Sequence, residues 1–215
     1  IIKDKVNRNR KSIHTPFPES QKGCERMVCL DFEMFEAEVD QIQFQTTSDN
    51  QLIQIQFIPK GYTIIGVGTD AVILSHSLLQ ERVLKVFSPS QLDKMHNEYL
   101  VYQKIGTSSY FSKCYYKGSR FLVLQFEEGP TLYDCLIEGI PIPQQVINDV
   151  EDACVHVRQK GMNPRDIHLK SIILQNGRAK IIDISEYVHP GNDLRWRHLA
   201  EGYRHFYPLI KGKQL

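Results

Sequence analysis

The chain has 215 residues with 41% apolar content, which is enough to bury the core of one compact domain or two small lobes. Its formal charge of +1 gives no reason to expect nucleic acid or an anionic membrane as a partner. No apolar run is long enough to span a membrane, no signal segment is visible, and the five scattered cysteines match neither zinc nor disulfide spacing, so we expect a cytoplasmic protein.

The first 60 residues form an N-terminal extension in our prediction. It opens with a basic run from Lys3 to Lys11, which favours a solvated arm, with contact to an acidic partner or a phosphate backbone as the alternative. Val39–Thr47 and Leu52–Phe57 alternate apolar and polar residues on either side of a polar turn. This pattern predicts an antiparallel hairpin that extends a sheet continuing into Tyr62 to Ile65.

A glycine-rich turn follows between two apolar segments. Tyr62–Leu74 is typical of a strand, a turn containing Gly66 and Gly68, and a returning strand. Two glycines between strands are usually an ordinary hairpin, but they also let a backbone approach a polyphosphate closely and present its amides. Lys85 is the one cation inside the apolar core of the next strand, Val83–Phe87, and a buried lysine normally needs an anionic partner.

The next predicted helix carries an acid on its apolar face. Ser88-Pro89-Ser90-Gln91 is a helix-start pattern with a serine cap, and Gly106 ends the helix after Ile105. A glutamate on a helix is normally solvated, but one on the inward face favours a cationic partner. The residues that share the inward face are Met95, Glu98, Tyr102 and Ile105.

Two further strands, 110–116 and 120–126, are predicted before a loop. Thr131–Leu136 and Pro143–Lys160 have helical periodicity, and Gly161 ends the second helix. Asp193 is predicted to begin a last helix, whose apolar stripe is typical of a core-facing surface. The members of that stripe are Trp196, Leu199, Tyr203, Phe206 and Ile210.

The stretch from Asn163 to Tyr187 contains two aspartates, Asp166 and Asp183, each at the edge of a short apolar run. Between them, two strand-like segments flank a tight turn at Gln175–Arg178. Such a hairpin brings both carboxylates to one end of the same two-stranded unit. Two carboxylates that face one cleft suit a reaction in which one accepts a proton and the other holds a divalent cation on phosphate.

This stretch resembles the catalytic loop and metal-binding loop of the protein-kinase superfamily, R-D-x-x-x-x-N followed by a hairpin that ends in D-F-G. Here the chain has Arg165-Asp166, then Ser171 in place of the asparagine, and Asp183-Ile184-Ser185 in place of D-F-G. The glycine turn and the strand with Lys85 resemble the nucleotide-binding segments of the family. The resemblance covers roughly residues 60–205, and the chain is similar to short bacterial serine/threonine protein kinases.

The resemblance implies ATP and Mg²⁺ as cofactors and gives the residues their expected roles. Asp166 would accept the proton of the attacking hydroxyl, and His168 occupies the place of a lysine near the transferred phosphate. Asp183 would hold magnesium, with the Ser171 hydroxyl as a weaker second ligand. The segment 97–102 resembles the kinase helix whose glutamate pairs with the strand lysine, so the resemblance implies that Glu98 pairs with Lys85 and that Lys85 holds the inner phosphates.

The same resemblance implies a binding site for the rest of the nucleotide. The backbone of the glycine turn would cover the phosphates, and the segment between the lobes would bond the adenine. Asp193 would brace the catalytic loop. The residues implied in nucleotide binding are Gly66, Val67, Gly68, Ala71 (at the third glycine position of the family), Leu124, which guards the pocket, Gln125 and Glu127.

The implied fold is α+β, a kinase-like two-lobe fold with a β-rich N-terminal lobe at 61–127 and a truncated helical C-terminal lobe at 128–215. We predict ATP-dependent phosphoryl transfer to a hydroxyl of a protein serine or threonine. The alternatives are a pseudokinase that binds ATP as a non-catalytic interaction module, which Ser171 favours, and a small-molecule kinase. A protein substrate or a regulatory protein is the expected partner, and the sequence does not define the oligomeric state.

Overall fold

The structure, a computed structural model, describes residues 31–45 and 51–210. No helix in these residues is long and apolar enough to cross a membrane. The strands of this part of the chain are β1 (Gln43–Gln45), β2 (Gln54–Phe57), β3 (Tyr62–Val67), β4 (Ala71–His76), β5 (Arg82–Phe87), β6 (Cys114–Lys117), β7 (Phe121–Gln125), β8 (Ile172–Gln175) and β9 (Arg178–Ile181). The α-helices are α1 (Glu36–Val39), α2 (Leu92–Ile105), α3 (Leu132–Glu138), α4 (Gln144–Gln159) and α5 (Arg195–Ile210).

Five strands form one antiparallel sheet in the order β3-β4-β5-β7-β6. Strand β5 is central, and its Lys85 pairs in register with Ile73 of β4 and Leu122 of β7. Because both neighbours are apolar and β5 is buried along nearly its whole length, the lysine enters an apolar environment as the sequence predicted. The sheet thus presents one cation to the interior.

The buried core is continuous from this sheet to the helices that follow it. Leu122 of β7, Val101 of α2, Val150 of α4 and Ile181 of β9 belong to a single cluster of buried side chains. Helix α2 also packs against a short 3₁₀ turn at Ser185–Val188, directly after Asp183. The sheet, α2 and the β8–β9 hairpin are therefore fixed relative to one another by apolar burial.

The N-terminal hairpin exists, but two details of its prediction are wrong. Strands β1 and β2 pair antiparallel, whereas Val39 ends the helix α1 instead of beginning a strand. The two strands form a separate sheet and do not extend the sheet of β3, which they contact through the Ile53 amide and the Gly68 carbonyl at 2.9 Å. The basic run at 3–11 and the turn at 46–50 lie outside the described residues.

The predicted strand 110–116 forms only at its C-terminal end, as β6. The residues before it pair with the other part of the molecule instead: Phe111 makes an isolated bridge to Ile181, and the Ile181 amide donates to the Tyr110 carbonyl at 2.8 Å. Tyr110 and Phe111 therefore contribute to the attachment of β9 rather than to the five-stranded sheet.

Helix α2 begins differently from the capping pattern that its sequence suggested. Pro89–Gln91 form a 3₁₀ turn and the α-helix starts at Leu92. The Ser88 hydroxyl makes no capping bond and lies 3.1 Å from the Ser90 hydroxyl. The end at Gly106 is as predicted, because this glycine adopts a left-handed φ of +68° and its amide bonds to the Tyr102 carbonyl.

The β8–β9 hairpin and its turn are as predicted, with Asn176 and Gly177 both at positive φ. Buried Asp149 of α4 holds the second strand, since its carboxylate accepts hydrogen bonds from the Ala179 amide at 3.0 Å and from the Arg178 guanidinium at 2.7 and 2.8 Å. Although burial acts to raise the pKa of Asp149, these donors and Gln145 lower it overall. No pattern in the sequence indicates this link.

Helix α5 faces the core with most of the predicted stripe, because Trp196, Leu199, Tyr203 and Ile210 are partly buried, and the prediction is wrong only for Phe206. Phe206 is 66% exposed, and the buried aromatic side chain is that of Tyr207, whose hydroxyl accepts from the Ile142 amide at 2.5 Å. Tyr203 stacks on Tyr207 with 4.6 Å between ring centroids. Positions 206 and 207 lie three and four residues after Tyr203, and both spacings keep a side chain on the same stripe, so spacing alone could not distinguish these neighbouring aromatics.

Candidate active site

A buried ion pair links the central strand to α2. The Lys85 ammonium lies 2.6 Å from Glu98 Oε2, with the two side chains 10% and 0% exposed. Burial alone would lower the pKa of Lys85, but the carboxylates of Asp183 and Glu98 outweigh it and raise the pKa. Burial raises the pKa of Glu98 to about 7, against the opposing effect of Lys85. The predicted pairing is present in the structure.

The same ammonium reaches the loop that follows β9. Lys85 Nζ lies 3.4 Å from Asp183 Oδ1, although 98 positions separate the two residues in the chain. Asp183 is exposed on its other side, with 47% of its side chain accessible. Lys85, Glu98 and Asp183 therefore form one cluster in which a cation and a solvent-accessible carboxylate face the same space, as a phosphate-and-metal site requires.

The glycine turn is a tight hairpin whose tip is fastened to α2. The Gly68 amide donates to the Ala71 carbonyl at 2.9 Å, so this amide closes the hairpin and does not point to a ligand, contrary to the role implied for it. Val67 is exposed and Ala71 is buried. Asp70 at the tip pairs with Lys94 of α2 at 2.8 Å, a contact that sequence patterns did not reveal.

At the end of β7 and just after it, two backbone amides donate hydrogen bonds within the protein. The Gln125 amide donates to the Lys113 carbonyl and the Phe126 amide to the Glu81 carbonyl, each at 2.8 Å. Leu124 is buried beside them, at 5% exposure. Because the Gln125 and Phe126 amides are already bonded, the next amide of the segment, that of Glu127, is the one that could donate to a ligand. The Glu127 carboxyl is itself buried, which raises its pKa, and Lys180 is its nearest cation at 4.0 Å.

Asp166, the predicted proton acceptor, is held at its amide and at its carboxylate by the segment that leads into α5. Its amide donates to Asp193 Oδ2 at 2.7 Å, which is the brace that the resemblance implied. Asp193 also accepts from the Arg195 amide at 3.1 Å. Asp166 has a left-handed φ of +54°, an uncommon conformation for a non-glycine residue that is often found at functional sites.

Arg195 is a member of the site that the sequence analysis missed. Its guanidinium forms an ion pair with the Asp166 carboxylate, and both side chains are about half exposed. One signal was available, because Arg195 lies in the first turn of α5, where the helix dipole disfavours a cation. This signal does not identify the partner, because Arg197 in the same turn pairs with Glu201 of the same helix.

Ser171 has a local structural role in this structure. Only 1% of the residue is exposed. Its hydroxyl donates to the His168 carbonyl at 2.8 Å and accepts from the His168 amide at 3.1 Å. The metal-ligand role predicted for Ser171 does not fit this environment, because the oxygen is buried and already bonded twice.

The donor set around Asp183 fits a magnesium ion carried on phosphate rather than an ion held by protein alone. The part of the chain that the structure describes contains no group of three or more His, Cys, Asp or Glu side chains that could hold a metal. Mg²⁺ commonly binds through one or two carboxylates together with substrate phosphates and water. One accessible carboxylate beside a lysine is consistent with that mode.

Comparison with known proteins assigns the class. No family model matches the chain. A relative named "Putative serine/threonine-protein kinase YrzF", from Bacillus subtilis (strain 168), is 31% identical over 147 residues, which cover 67% of this chain and 68% of the relative. The chain belongs to the protein-kinase superfamily, and the predicted α+β, kinase-like fold is confirmed.

Two solved structures are similar to the chain. The WbdD structure with the kinase inhibitor LY294002 has 14% sequence identity and a TM-score of 0.48, and covers 66% of this chain. The chain spans about a third of the length of WbdD, 34%. A mutant of the PknI kinase domain of Mycobacterium tuberculosis has 15% identity and a TM-score of 0.48, with 79% of this chain and 78% of PknI covered.

Proposed function

We propose that the chain transfers the terminal phosphoryl group of ATP to a hydroxyl, on a serine or threonine of a protein acceptor. The observation that carries this proposal is the position of Lys85, whose ammonium lies 2.6 Å from Glu98 and 3.4 Å from Asp183. Glu98 fixes the lysine ammonium, and the carboxylate of Asp183 beside it is accessible. This arrangement suits the phosphates of a nucleotide and the metal ion that they carry. The name of the Bacillus subtilis relative supports the choice of serine or threonine.

Each residue of the site would have one task. Lys85 holds the inner phosphates, and Glu98 keeps its ammonium in place and charged. Asp183 binds Mg²⁺, which when present neutralises charge on the terminal phosphates. The Glu127 amide donates to the adenine, and Leu124 closes the pocket behind it. Asp166 accepts the proton of the acceptor hydroxyl as its oxygen bonds to phosphorus and the bond from phosphorus to ADP breaks.

A non-catalytic nucleotide-binding module is the second candidate, and specific contacts favour it. The Arg195 guanidinium occupies the Asp166 carboxylate, and Ser171 is unsuited to hold a second metal ion. Both features weaken the acid–base and metal parts of the site while leaving the Lys85 cluster intact. Such a protein would bind ATP through Lys85 and Asp183 and present a surface to a regulatory protein.

ATP binding and turnover separate the candidates. We expect saturating Mg²⁺–ATP to stabilise the wild-type chain, by about 2.7 kcal/mol at 100 times the dissociation constant. Asp183→Asn should remove the magnesium-dependent part of this stabilisation and all transfer of labelled phosphate. Glu186→Gln, three residues further along, is the matched control and should retain both. Turnover that survives Asp183→Asn would contradict the site, and stabilisation without any turnover would establish the non-catalytic module.

A further inference from the structure

Helix α2 carries two buried polar atoms that have no hydrogen-bond partner within residues 31–45 and 51–210. They are Oε1 of Glu98 and the hydroxyl oxygen of Tyr102. Glu98 is fully buried and Tyr102 is 7% exposed, so a partner for either atom has to come from the interior of the protein. An unpaired buried polar atom is unfavourable, above all when it carries charge. Each of the two atoms therefore gains stability from a partner that reaches it.

The two residues lie one helical turn apart. Positions 98 and 102 are four residues apart in α2, which places both side chains on the same face of the helix, and both are buried there. Side chains of an α-helix lean toward its N-terminus, so Tyr102 extends over the turn that contains Glu98. The atoms are also chemically complementary, because a phenol hydroxyl can donate the hydrogen bond that a carboxylate oxygen accepts.

The electrostatic environment of Tyr102 points to Glu98 as its principal anionic neighbour. Burial raises the pKa of the Tyr102 hydroxyl well above its usual value. Among the neighbouring groups whose negative charge raises this pKa further, Glu98 has the largest effect, ahead of Cys114, Asp183 and Glu127. Because the Coulomb energy of two charges falls with their separation, this order favours the Glu98 carboxylate as the acceptor within reach of the phenol.

Charged and titratable groups on four other parts of the fold face the same Glu98 carboxylate. They are Lys85 of β5, Cys114 of β6, Asp183 after β9 and Asp70 at the tip of the β3–β4 hairpin. Lys85 favours the charged form of Glu98, whereas the two aspartates and burial disfavour it. The Cys114 thiol donates instead to the Tyr116 carbonyl, at 3.6 Å. A second donor to Glu98 would therefore help Lys85 to keep this carboxylate charged.

The Glu98 carboxylate has one oxygen engaged and one free. Oε2 accepts from Lys85 Nζ at 2.6 Å, and the terminal torsion of a glutamate side chain is broad, so the carboxylate can adjust toward Tyr102 at little cost. We propose that Tyr102 is a positioning residue for the Lys85–Glu98 pair, and that its hydroxyl donates a hydrogen bond to Glu98 Oε1. This bond orients the carboxylate, and through it the lysine ammonium that faces Asp183.

Tyr102→Phe tests the bond, because it removes the hydroxyl and keeps the ring that packs in the core. Carbon-13 NMR of the glutamate carboxyl groups measures how tightly Glu98 binds its proton, with the signal assigned from its absence in Glu98→Gln. Since the variant loses a donor to the charged form, its Glu98 should bind the proton about tenfold more tightly. Tyr99→Phe, a partly buried tyrosine of the same helix, is the control and should titrate like wild type. Equal titration of Glu98 in wild type and Tyr102→Phe would overturn the proposal.

A double-mutant cycle identifies the acceptor independently. In urea unfolding at alkaline pH, where Glu98 is charged, Tyr102→Phe should lower the folding equilibrium constant about tenfold in wild type and much less in Glu98→Met. Glu127 is the competing acceptor, because its Oε1 is also buried without a hydrogen bond in the described part of the chain. The effect of Tyr102→Phe should therefore be the same in Glu127→Gln as in wild type. Coupling to Glu127 in place of Glu98 would contradict the proposal.

The consequence for phosphoryl transfer rests on the proposed function. If Tyr102 positions Lys85 through Glu98, Tyr102→Phe should lower kcat several-fold with a smaller change in the KM for ATP. Tyr99→Phe should leave both constants unchanged. An unaltered kcat in Tyr102→Phe, measured beside a wild type that transfers phosphate, would refute this coupling. The NMR titration and the unfolding cycle need no enzymatic activity, so they decide on the hydrogen bond even if the chain transfers no phosphate.

Discussion

Asp193 joins the amides of Asp166 and Arg195, and so fixes the candidate base against the start of α5. The same arrangement brings the Arg195 guanidinium to the Asp166 carboxylate. One acidic side chain thereby determines the backbone positions of both members of this ion pair. The segment 193–195 therefore fixes both the position of Asp166 and the positive charge beside its carboxylate.

Arg195→Gln should increase the rate of phosphoryl transfer. A carboxylate that is bonded to a guanidinium is a poorer proton acceptor, so releasing Asp166 favours abstraction of the hydroxyl proton. We expect a several-fold higher rate of labelled phosphate transfer, with little change in ATP affinity. Arg197→Gln, which removes an exposed cation from the same turn of the helix, serves as the control. A fall in the rate to the level of Asp166→Asn would show instead that Arg195 orients the base.

The Lys85–Glu98 pair predicts a defined dependence of stability on pH. The folded-state pKa of Glu98, about 7, is above the unfolded value of about 4.3. The contribution of Glu98 to stability is therefore fully present below the unfolded value and is lost as the pH rises through about 7. Lys85→Met removes the nearby cation and should move this loss to higher pH and make it larger.

Urea unfolding of wild type and Lys85→Met at pH values between roughly 5 and 9 measures this effect. Removing one member of a buried ion pair typically costs about 3–5 kcal/mol. At the alkaline end the variant should show a cost of this size, and at the acidic end a smaller one, because protonated Glu98 is neutral. An equal difference at every pH would show that Glu98 does not titrate in this range.

The loop between Gln125 and α3 depends on a glycine for steric reasons. Gly129 has a φ of +145°, and a Cβ at this position would lie 2.2 Å from the Leu174 carbonyl oxygen. Gly129→Ala should therefore displace the loop from β8 and lower the melting temperature strongly. Gly161→Ala is the matched control, since its φ is +73° and no atom lies within 4 Å of the added carbon. Its cost should be about 1–2 kcal/mol, from conformation alone.

From the lowered pKa of Asp149 we predict that the folded protein loses stability in acid. Its pKa is lowered in the folded state, so the stability it contributes is present above the unfolded pKa and is lost as the pH falls through the folded value. Asp149→Asn should remove this part of the acid unfolding transition. It should also loosen β9, because the buried Ala179 amide loses a charged acceptor. Hydrogen exchange of that amide at neutral pH is the measurement, and an exchange rate equal to that of wild type would contradict the role.

The sequence indicated the parts of the site that follow from local pattern. Local pattern identified a lysine in an apolar strand, a glutamate on the inward face of a helix and aspartates at the ends of a hairpin. The resemblance to protein kinases linked them, and the structure places Lys85, Glu98 and Asp183 together. Their roles in catalysis remain predictions. The start of α2 also shows a limit of local pattern, since Ser88 precedes a proline in the expected way but a 3₁₀ turn intervenes.

The sequence did not indicate contacts between distant segments, because only the tertiary fold defines the relative positions of such segments. Arg195 on Asp166, Lys94 on Asp70 and Arg178 on Asp149 join residues 24–29 positions apart, and charged residues at such distances have no periodicity that links them. The same limit applies to Tyr207, which is buried in place of Phe206 through contacts with the loop at Ile142.

The salt bridge between Asp70 and Lys94 has a mechanical consequence. Asp70 also accepts a hydrogen bond from the Ser88 amide through its carbonyl, so the tip of the hairpin above the site is anchored to the beginning of α2. Any rotation of α2 that withdrew Glu98 from Lys85 would pull this hairpin along. Opening of the cleft and uncoupling of the lysine would then be a single hinged movement rather than two separate ones.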